Sequence, residues 1–189
     1  ESAAGAADYG GEDACALPVD VGLRGVDPHA HFLGKTMNVE AHLPGGAVRP
    51  LLRIRRWSFH WQQDYRYTRP VALPRGTTIS MRFTYDNSDG NPDNPHKPAI
   101  QVQCGQRSTD EMANLGLQVL PHSQADRVVL KRVALDKERA ANVAAAEWLV
   151  RQNPADAEHQ RFLGASYLDI DAVIRAARQA RSAWLRRAR

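Results

Sequence analysis

The hydrophobic pattern of the chain changes once, near Ser123, and this change restricts the fold more than any other feature. Residues 17–121 contain short alternating segments separated by turns rich in Gly, Pro and Asn, with no helical pattern between them. After Ser123 the period changes to about 3.6 residues, and glycine almost disappears. The first pattern predicts an antiparallel β-sandwich, and the second predicts a helical region after it.

The β region shows strand alternation most clearly in the segment TTISMRFTY. Its apolar residues at every second position share one face of a strand, and they are Ile79, Met81, Phe83 and Tyr85. Similar runs include TMNVEAHL, AVRPLLRI, YRYTRPVAL, AIQVQC and LGLQVL, bounded by turns such as PGG at 44–46 and PRG at 74–76. We therefore predict a mainly β fold, an antiparallel jelly-roll β-sandwich over residues 17–122, after an N-terminal extension over residues 1–16.

The region 123–189 is predicted to be a small all-α tail. The segment DKERAANVAAAEWLVRQNP reads as an Ala-rich helix that stops at Asn153-Pro154. The segments after it resemble a tetratricopeptide helical hairpin at Leu163, Gly164, Tyr167, Ala176 and Ala183; an ordinary helical hairpin is the alternative. Such repeats need about three copies to bury a core, so either the array continues past Arg189 or the hairpin caps the β domain. A protein partner at the tail is a further expectation.

The composition indicates a globular chain. Hydrophobic residues make up 43% of the sequence and charged residues 24%, which favours neither a disordered nor a membrane class. No apolar run approaches the about 20 residues that cross a bilayer, so no transmembrane segment is predicted. Much of the basic excess lies in RAARQARSAWLRRAR, where Ala, Trp and Leu at helical spacing favour a solvated helix face over a nucleic-acid site.

Two cysteines, Cys15 and Cys104, bear on the compartment of the protein. They could form one disulfide between the N-terminal segment and the end of a later strand, or remain two buried thiols. The sequence starts at Glu1 without the pattern of a signal peptide, so a leader is expected to have been removed or to lie outside the chain.

The stretch DPHAHFLGKTM, residues 27–37, places two histidines one residue apart in what reads as the start of a β-strand. On a strand, residues i and i+2 point to the same face, about 6 to 7 Å apart. His29 and His31 can therefore converge on one metal ion, with a third ligand from elsewhere in the fold. The alternative is two unrelated polar side chains on a sheet.

The surroundings of the pair carry a family resemblance over residues 17–121. HAHFLGK is followed by WSFHWQQDYRY, LPRGT, YDNSDGNPDNP and STDEM, in this order. The ordered set resembles the C-terminal, catalytic copper domain of the copper type II ascorbate-dependent monooxygenases, the family of peptidylglycine alpha-hydroxylating monooxygenase and dopamine beta-monooxygenase. It looks most like the bacterial relatives of that domain.

The resemblance implies a copper site and an activity. The copper ligands would be His29, His31 and Met112, the metal would cycle between Cu(I) and Cu(II), and ascorbate would supply electrons. The reaction would insert one oxygen atom of O2 into a substrate C–H bond, in a bacterial, extracytoplasmic (periplasmic or secreted) protein. The donor types agree with this, because imidazole suits copper in both oxidation states and a thioether favours Cu(I).

Met112 has a structural alternative, because most methionines fill gaps in cores. Its position after TDE, where a polar run ends and a strand begins, favours the ligand role. Met37 and Met81 lack this context and are predicted to be core residues. Among the other histidines, His60 is a weaker candidate that could line the same cleft. Four are expected to be solvated, namely His42, His96, His122 and His159.

The sequence departs from the family at the substrate site. The resemblance implies an Arg before the His pair, and an Asn and a Tyr after the Met, that hold a peptide carboxylate. Here Asp27 replaces the Arg, Asn114 retains the Asn and Gly116 replaces the Tyr. Asp27 would repel a carboxylate, so a glycine-extended peptide is not expected, whereas Asn114 remains a substrate-binding candidate.

The family's electron-delivery copper domain also has no counterpart in this sequence. Complete turnover would therefore need an upstream redox domain or a separate redox partner, with an unknown small-molecule or peptide substrate. Two other functions stay open: a non-catalytic copper-binding module, and an interaction scaffold in which a metal-free sandwich supports the helices.

The loop YDNSDGNPDNP could also be interpreted as a calcium site formed by Asp86, Asp89 and Asp93. Its Asx and Pro residues are equally those of tight turns, and their spacing does not fit an EF-hand loop. Turn chemistry is therefore the preferred interpretation.

Overall fold

A computed structural model describes residues 2–105 and 107–169 of the chain. The chain forms two compact units, residues 1–129 and residues 130–189. The first unit is mainly β, and the described part of the second unit is helical.

Seven strands make up most of the first unit. In chain order they are β1 (Tyr9–Ala16), β2 (Val21–Ala30), β3 (Gly34–His42), β4 (Val48–Ile54), β5 (Tyr65–Leu73), β6 (Thr78–Tyr85) and β7 (Ala113–Pro121). They form two antiparallel sheets, with the orders β1-β6-β3-β4 and β5-β2-β7. The mainly β, sandwich-like architecture predicted from the alternating segments is confirmed.

Apolar residues of both sheets meet in one hydrophobic core. β2 contributes Ala30, β3 contributes Met37, β6 contributes Phe83, and Trp57 from the segment after β4 packs with them. Met37 and Phe83 are cross-strand partners, so their side chains share a face. Burying one large apolar side chain stabilises a fold by about 1.5–3 kcal/mol, so this cluster fixes the inward face of each sheet.

The face predicted for the segment TTISMRFTY is the buried face of β6. Ile79, Phe83 and Tyr85 are 2%, 1% and 4% exposed, and Met81 packs against the same core. Met37 is fully buried. Both methionines are therefore core residues, as the sequence predicts.

The N-terminal stretch and the segment AIQVQC differ from the sequence prediction. The N-terminal stretch contributes β1, which pairs with β6 at the edge of the four-stranded sheet. The segment AIQVQC is not a strand and forms only isolated bridges at Val102 and Cys104. The preceding loop holds its backbone instead, because the Asn87 amide donates to the carbonyl oxygen of Ile100 at 2.8 Å.

The loop after β6 contains hydrogen bonds typical of Asx turns. The Asp86 carboxylate accepts from the backbone N–H of Ser88 at 3.0 Å and from its hydroxyl at 2.6 Å. The Lys97 ammonium donates to the carbonyl oxygens of Asp89 and Asn91, each at 2.7 Å. These contacts support the turn interpretation, since a side-chain cation already uses carbonyl oxygens that calcium would need.

In the described part of the chain, two helices follow the strands. α1 (Gln124–Gln152) is capped by Ser123, whose hydroxyl accepts from the backbone N–H of Asp126 at 3.1 Å. It ends before Asn153-Pro154, as predicted. α2 covers residues 157–169. No helix of the described chain is long and apolar enough to cross a membrane.

Hydrogen bonds join α1 and α2 within the second unit. The Tyr167 hydroxyl donates to the Glu147 carboxylate at 2.6 Å, and the Arg139 guanidinium donates to Asp169 at 2.7 Å. Of the residues predicted to mark the repeat, α2 contains Leu163, Gly164 and Tyr167. Ala176 and Ala183 lie outside the described residues.

Cys15 and Cys104 are not joined by a disulfide. Burial and, secondarily, the nearby Cys104 thiol raise the pKa of the Tyr85 hydroxyl, so Cys104 lies near Tyr85. Tyr85 stacks on Tyr9 at the start of β1, whereas Cys15 lies near the other end of that strand. At about 3.3 Å per residue, the distance along β1 from Tyr9 to Cys15 is roughly 20 Å. A disulfide can join only cysteines whose Cα atoms lie within about 7 Å.

Candidate metal site

A β-bulge in β2 decides which way the histidines face. The pairing of β2 with both neighbours shifts between Leu23 and Gly25. The buried positions before the shift are Val21 and Leu23, and those after it include Val26, Pro28 and Ala30. Asp27 and His29 therefore lie on the outer face of the three-stranded sheet. Without the bulge, the same alternation would turn His29 into the core.

His29 and His31 face each other at the end of β2. The strand ends at Ala30, and the carbonyl oxygen of His31 accepts from the N–H of Gly34 at 3.0 Å. The stretch predicted as the start of a strand is thus the end of one strand, a turn and the start of the next. The imidazole rings still converge, with centroids 5.1 Å apart and planes at 87°. His29 is half-buried, and His31 is 5% exposed.

Both imidazoles direct Nδ1 at an oxygen acceptor. His29 Nδ1 lies 2.6 Å from Oε1 of Gln62, and His31 Nδ1 lies 3.1 Å from the carbonyl oxygen of Asp110. Because these oxygens only accept, each neutral imidazole carries its proton on Nδ1. The lone pair on Nε2 is then available to a metal ion, which is how outer hydrogen bonds orient metal-binding histidines.

Met112 directly precedes β7 and lies between two residues that contact the pair. Asn114 on β7 is the cross-strand partner of His29, and the strand pairing ends at Ala30 and Ala113, directly before Met112. The hydrogen bond from His31 to Asp110 holds this segment at the end of β2, and Met112 is half-buried. Of the three residues that the family resemblance names, His29 therefore lies on β2, His31 directly follows β2 and Met112 directly precedes β7.

The positions of the expected substrate site share the outer face with His29. Asp27 pairs with Gly116, and His29 pairs with Asn114; directly paired residues share a face. A Cβ atom at Gly116 would lie 3.1 Å from Cβ of Asp27, so the Asp27 side chain leans over the glycine. Asp27 and Asn114 are both exposed. A carboxylate and an amide are thus accessible beside His29.

Aromatic rings from the segment after β4 border His31. Phe59 makes an edge contact with His31, with ring centroids 6.0 Å apart, and packs on Phe32 at 4.3 Å. His60 is exposed and contacts Phe32 and Phe59 at 5.6 and 5.7 Å. His60 therefore lies at the aromatic rim of the site.

Gln62 is a site residue that the sequence reasoning did not single out. It belongs to the block WSFHWQQDYRY, in which the aromatic residues are the more prominent sequence signal. A glutamine carries no metal-binding signal by itself. Only the place of this block in the ordered set could have pointed to it.

Glu111 anchors the segment before β7 from its inner side. Its backbone N–H donates to Gln103 and its carbonyl oxygen accepts from Gly105, each at 3.0 Å. The side chain is 8% exposed, and Oε2 has no hydrogen-bond partner among the described residues. Burial raises the pKa of the Glu111 carboxyl.

The donor types at the pair fit copper. Within residues 2–105 and 107–169, no cluster of three or more His, Cys, Asp and Glu side chains is arranged to hold a metal, and a methionine is outside those four types. Two imidazoles and a thioether would serve both Cu(I) and Cu(II), with the sulfur favouring Cu(I).

The other histidines have different surroundings. His42 on β3 is exposed, and its Nε2 lies 2.9 Å from the Ser80 hydroxyl. His122 is exposed, His96 is half-buried in the loop after β6, and His159 is half-buried on α2.

Comparison of the chain with models of known protein families gives no match. Comparison with curated protein sequences gives no match either.

Proposed function

We propose that the first unit is a jelly-roll copper domain of the ascorbate-dependent monooxygenase type, with His29, His31 and Met112 as metal ligands. The observation that carries the proposal is the pair of Nδ1 hydrogen bonds to oxygen acceptors, at 2.6 and 3.1 Å. Both bonds favour the tautomer in which Nε2 can bind a metal. The proposal is supported by the position of Met112 in the chain between Asp110, which accepts from His31, and Asn114, which pairs with His29.

The residues around the pair have separate roles in this proposal. Bound copper would supply the reductive activation of O2, so that one oxygen atom enters a substrate C–H bond and the other leaves as water. Phe59 and Phe32 limit the access of water to His31. Asn114 would contact substrate, and Asp27 would disfavour a substrate that bears a carboxylate.

The helical tail and the compartment complete the proposal. α1 and α2 would form a tetratricopeptide-like hairpin that binds a protein partner, because α2 exposes 47% of Tyr167 and 65% of Leu168. The electrons would come from ascorbate, or from a redox partner or upstream domain, in an extracytoplasmic compartment. The family resemblance supports these points.

A non-catalytic copper-binding module is the second candidate function. Asp27 favours it, because this residue stands where the family holds its substrate carboxylate with an Arg. Handling of copper would require only the three ligands, and the open outer face would then serve exchange of the ion.

Product formation separates the two candidates. The copper-loaded chain is supplied with ascorbate, isotopically labelled O2 and a panel of amines, amides and hydrocarbons. The monooxygenase proposal expects a product that carries one labelled oxygen atom, lost in His29→Ala and Met112→Ala and retained in His42→Ala. Tight copper binding with peroxide release and no labelled product from the panel would favour the copper-binding module instead.

A further inference from the structure

We propose that Gln62 is a positioning residue that sets the tautomer and orientation of His29, and thereby the affinity of the site for copper. The inference rests on the proposed function for its consequence in metal binding. Its structural part, the tautomer of His29, is a property of the metal-free chain and can be tested separately.

The Gln62 carboxamide is held in one orientation by two hydrogen bonds. Its Nε2 donates to the carbonyl oxygen of Phe59 at 2.9 Å, and its Oε1 accepts from His29 Nδ1 at 2.6 Å. A flipped amide would set an oxygen against the Phe59 carbonyl and would offer His29 a donor in place of an acceptor. The bond to Phe59 therefore decides which end of the amide faces the imidazole.

The two imidazoles differ in what fixes them. The acceptor for His31 is the backbone carbonyl of Asp110, which no substitution removes, and His31 is 5% exposed. The acceptor for His29 is a single exposed side chain, and His29 is only half-buried. The tautomer of His29 thus depends on one replaceable group.

Three variants test this dependence in the full chain. Gln62→Leu removes the acceptor while keeping most of the volume, and Gln62→Glu keeps an acceptor oxygen. Gln63→Leu is the matched control, because Gln63 is also exposed and adjacent in sequence. Nitrogen NMR of labelled imidazoles in the metal-free protein, at a pH where histidine is neutral, reports the tautomer of His29 directly.

We expect the Nδ1–H tautomer of His29 in the parent, in Gln62→Glu and in Gln63→Leu, and a shift toward Nε2–H in Gln62→Leu. Competition with a Cu(I) chelator should show binding weakened roughly 10–100-fold in Gln62→Leu, the range for loss of an outer-shell partner. The glutamate variant keeps an acceptor for His29 but loses the donor to Phe59, so it should bind Cu(I) more tightly than Gln62→Leu.

An unchanged tautomer in Gln62→Leu would overturn the inference. So would a shifted tautomer with unchanged Cu(I) affinity, provided that His29→Ala weakens binding. If the tautomer shifts but even His29→Ala binds Cu(I) like the parent, the proposed copper site is wrong while the control of the tautomer by Gln62 stands.

Discussion

The two outer faces of the sandwich each present histidine, but they use it in opposite ways. On the three-stranded sheet, Nδ1 of His29 donates to Oε1 of Gln62, so that Nε2 is available to a metal ion. On the four-stranded sheet, His42 engages Nε2 itself, 2.9 Å from the Ser80 hydroxyl and 3.9 Å from the Glu40 carboxylate. The ring nitrogen that already takes part in a hydrogen bond is Nδ1 in His29 and Nε2 in His42. This difference distinguishes a candidate metal ligand from an ordinary surface histidine.

A groove lies on the face that lacks the pair. It measures about 840 Å³ and includes His42, Ser80 and Glu40 in its lining. His42 and Ser80, from neighbouring strands, hydrogen-bond to each other in its lining. The size of this groove therefore does not mark the candidate site, whereas the pairing of donors and acceptors at each imidazole distinguishes the two faces.

The largest expected effect is on Cu(I) affinity, and it should appear when His29 is removed from one face but not when His42 is removed from the other. His29→Ala should weaken Cu(I) binding by more than the roughly 10–100-fold typical of losing an outer-shell partner, because a direct ligand is lost. His42→Ala should leave Cu(I) affinity at the parent value. Competition with a Cu(I) chelator measures both, and equal losses in the two variants would remove the distinction between the faces.

The bulge that turns His29 outward gives the next largest effect. A Cβ at Gly25 would lie 2.7 Å from the carbonyl oxygen of Tyr65, and backbone cannot move aside cheaply. Gly25→Ala should therefore lower the free energy of unfolding by about 1–3 kcal/mol. In Gly45→Ala the new Cβ would meet nothing within 4 Å, so a change within about 0.5 kcal/mol is expected. Urea unfolding compares the two variants, and a neutral Gly25→Ala would mean that the bulge is not constrained.

A pH-dependent effect is expected at the inner side of the same site. The pKa of Glu111 is raised in the folded protein by burial, so its contribution to stability is present below the unfolded value of about 4.3 and is lost as pH rises through the folded value. Glu111→Gln cannot ionise. Its stability relative to the parent should therefore rise with pH above that unfolded value, as measured by urea unfolding of both metal-free proteins. A flat difference would show that Glu111 titrates normally.

The smallest effect is expected from the hydrogen bond that engages His42. The Ser80→Ala substitution removes a hydroxyl on the four-stranded sheet and should change the free energy of unfolding by no more than about 0.5 kcal/mol. It should leave the tautomer of His29 unchanged in nitrogen NMR. A shift of the His29 tautomer in Ser80→Ala would show that the two faces are coupled through the core.

Strand alternation made much of the fold predictable. The segments of β3, β4, β5 and β6 carry apolar residues that pack inward, so periodicity found them. β1, with the sequence YGGEDACA, has no such alternation and becomes a strand only by pairing with β6. Tertiary pairing of this kind cannot be read from a local pattern.

The candidate site was predictable only in part. The i, i+2 spacing suggested that His29 and His31 converge, and the rings do face each other. The bulge between Leu23 and Gly25 decides on which face of the sheet His29 lies, and the isolated Gly25 is only a weak sequence signal for it. The hydrogen bond from His29 to Gln62 links residues far apart in the chain, so only the folded structure could show it.

X-ray absorption spectroscopy of the Cu(I)-loaded chain tests the central claim most directly. The measurement uses a Cys15→Ser, Cys104→Ser background, so that any sulfur neighbour of copper must be a thioether. A site made by His29, His31 and Met112 predicts nitrogen and sulfur neighbours together, with the sulfur lost in Met112→Ala. Copper without a sulfur neighbour, or with one that persists in Met112→Ala, would contradict the assignment.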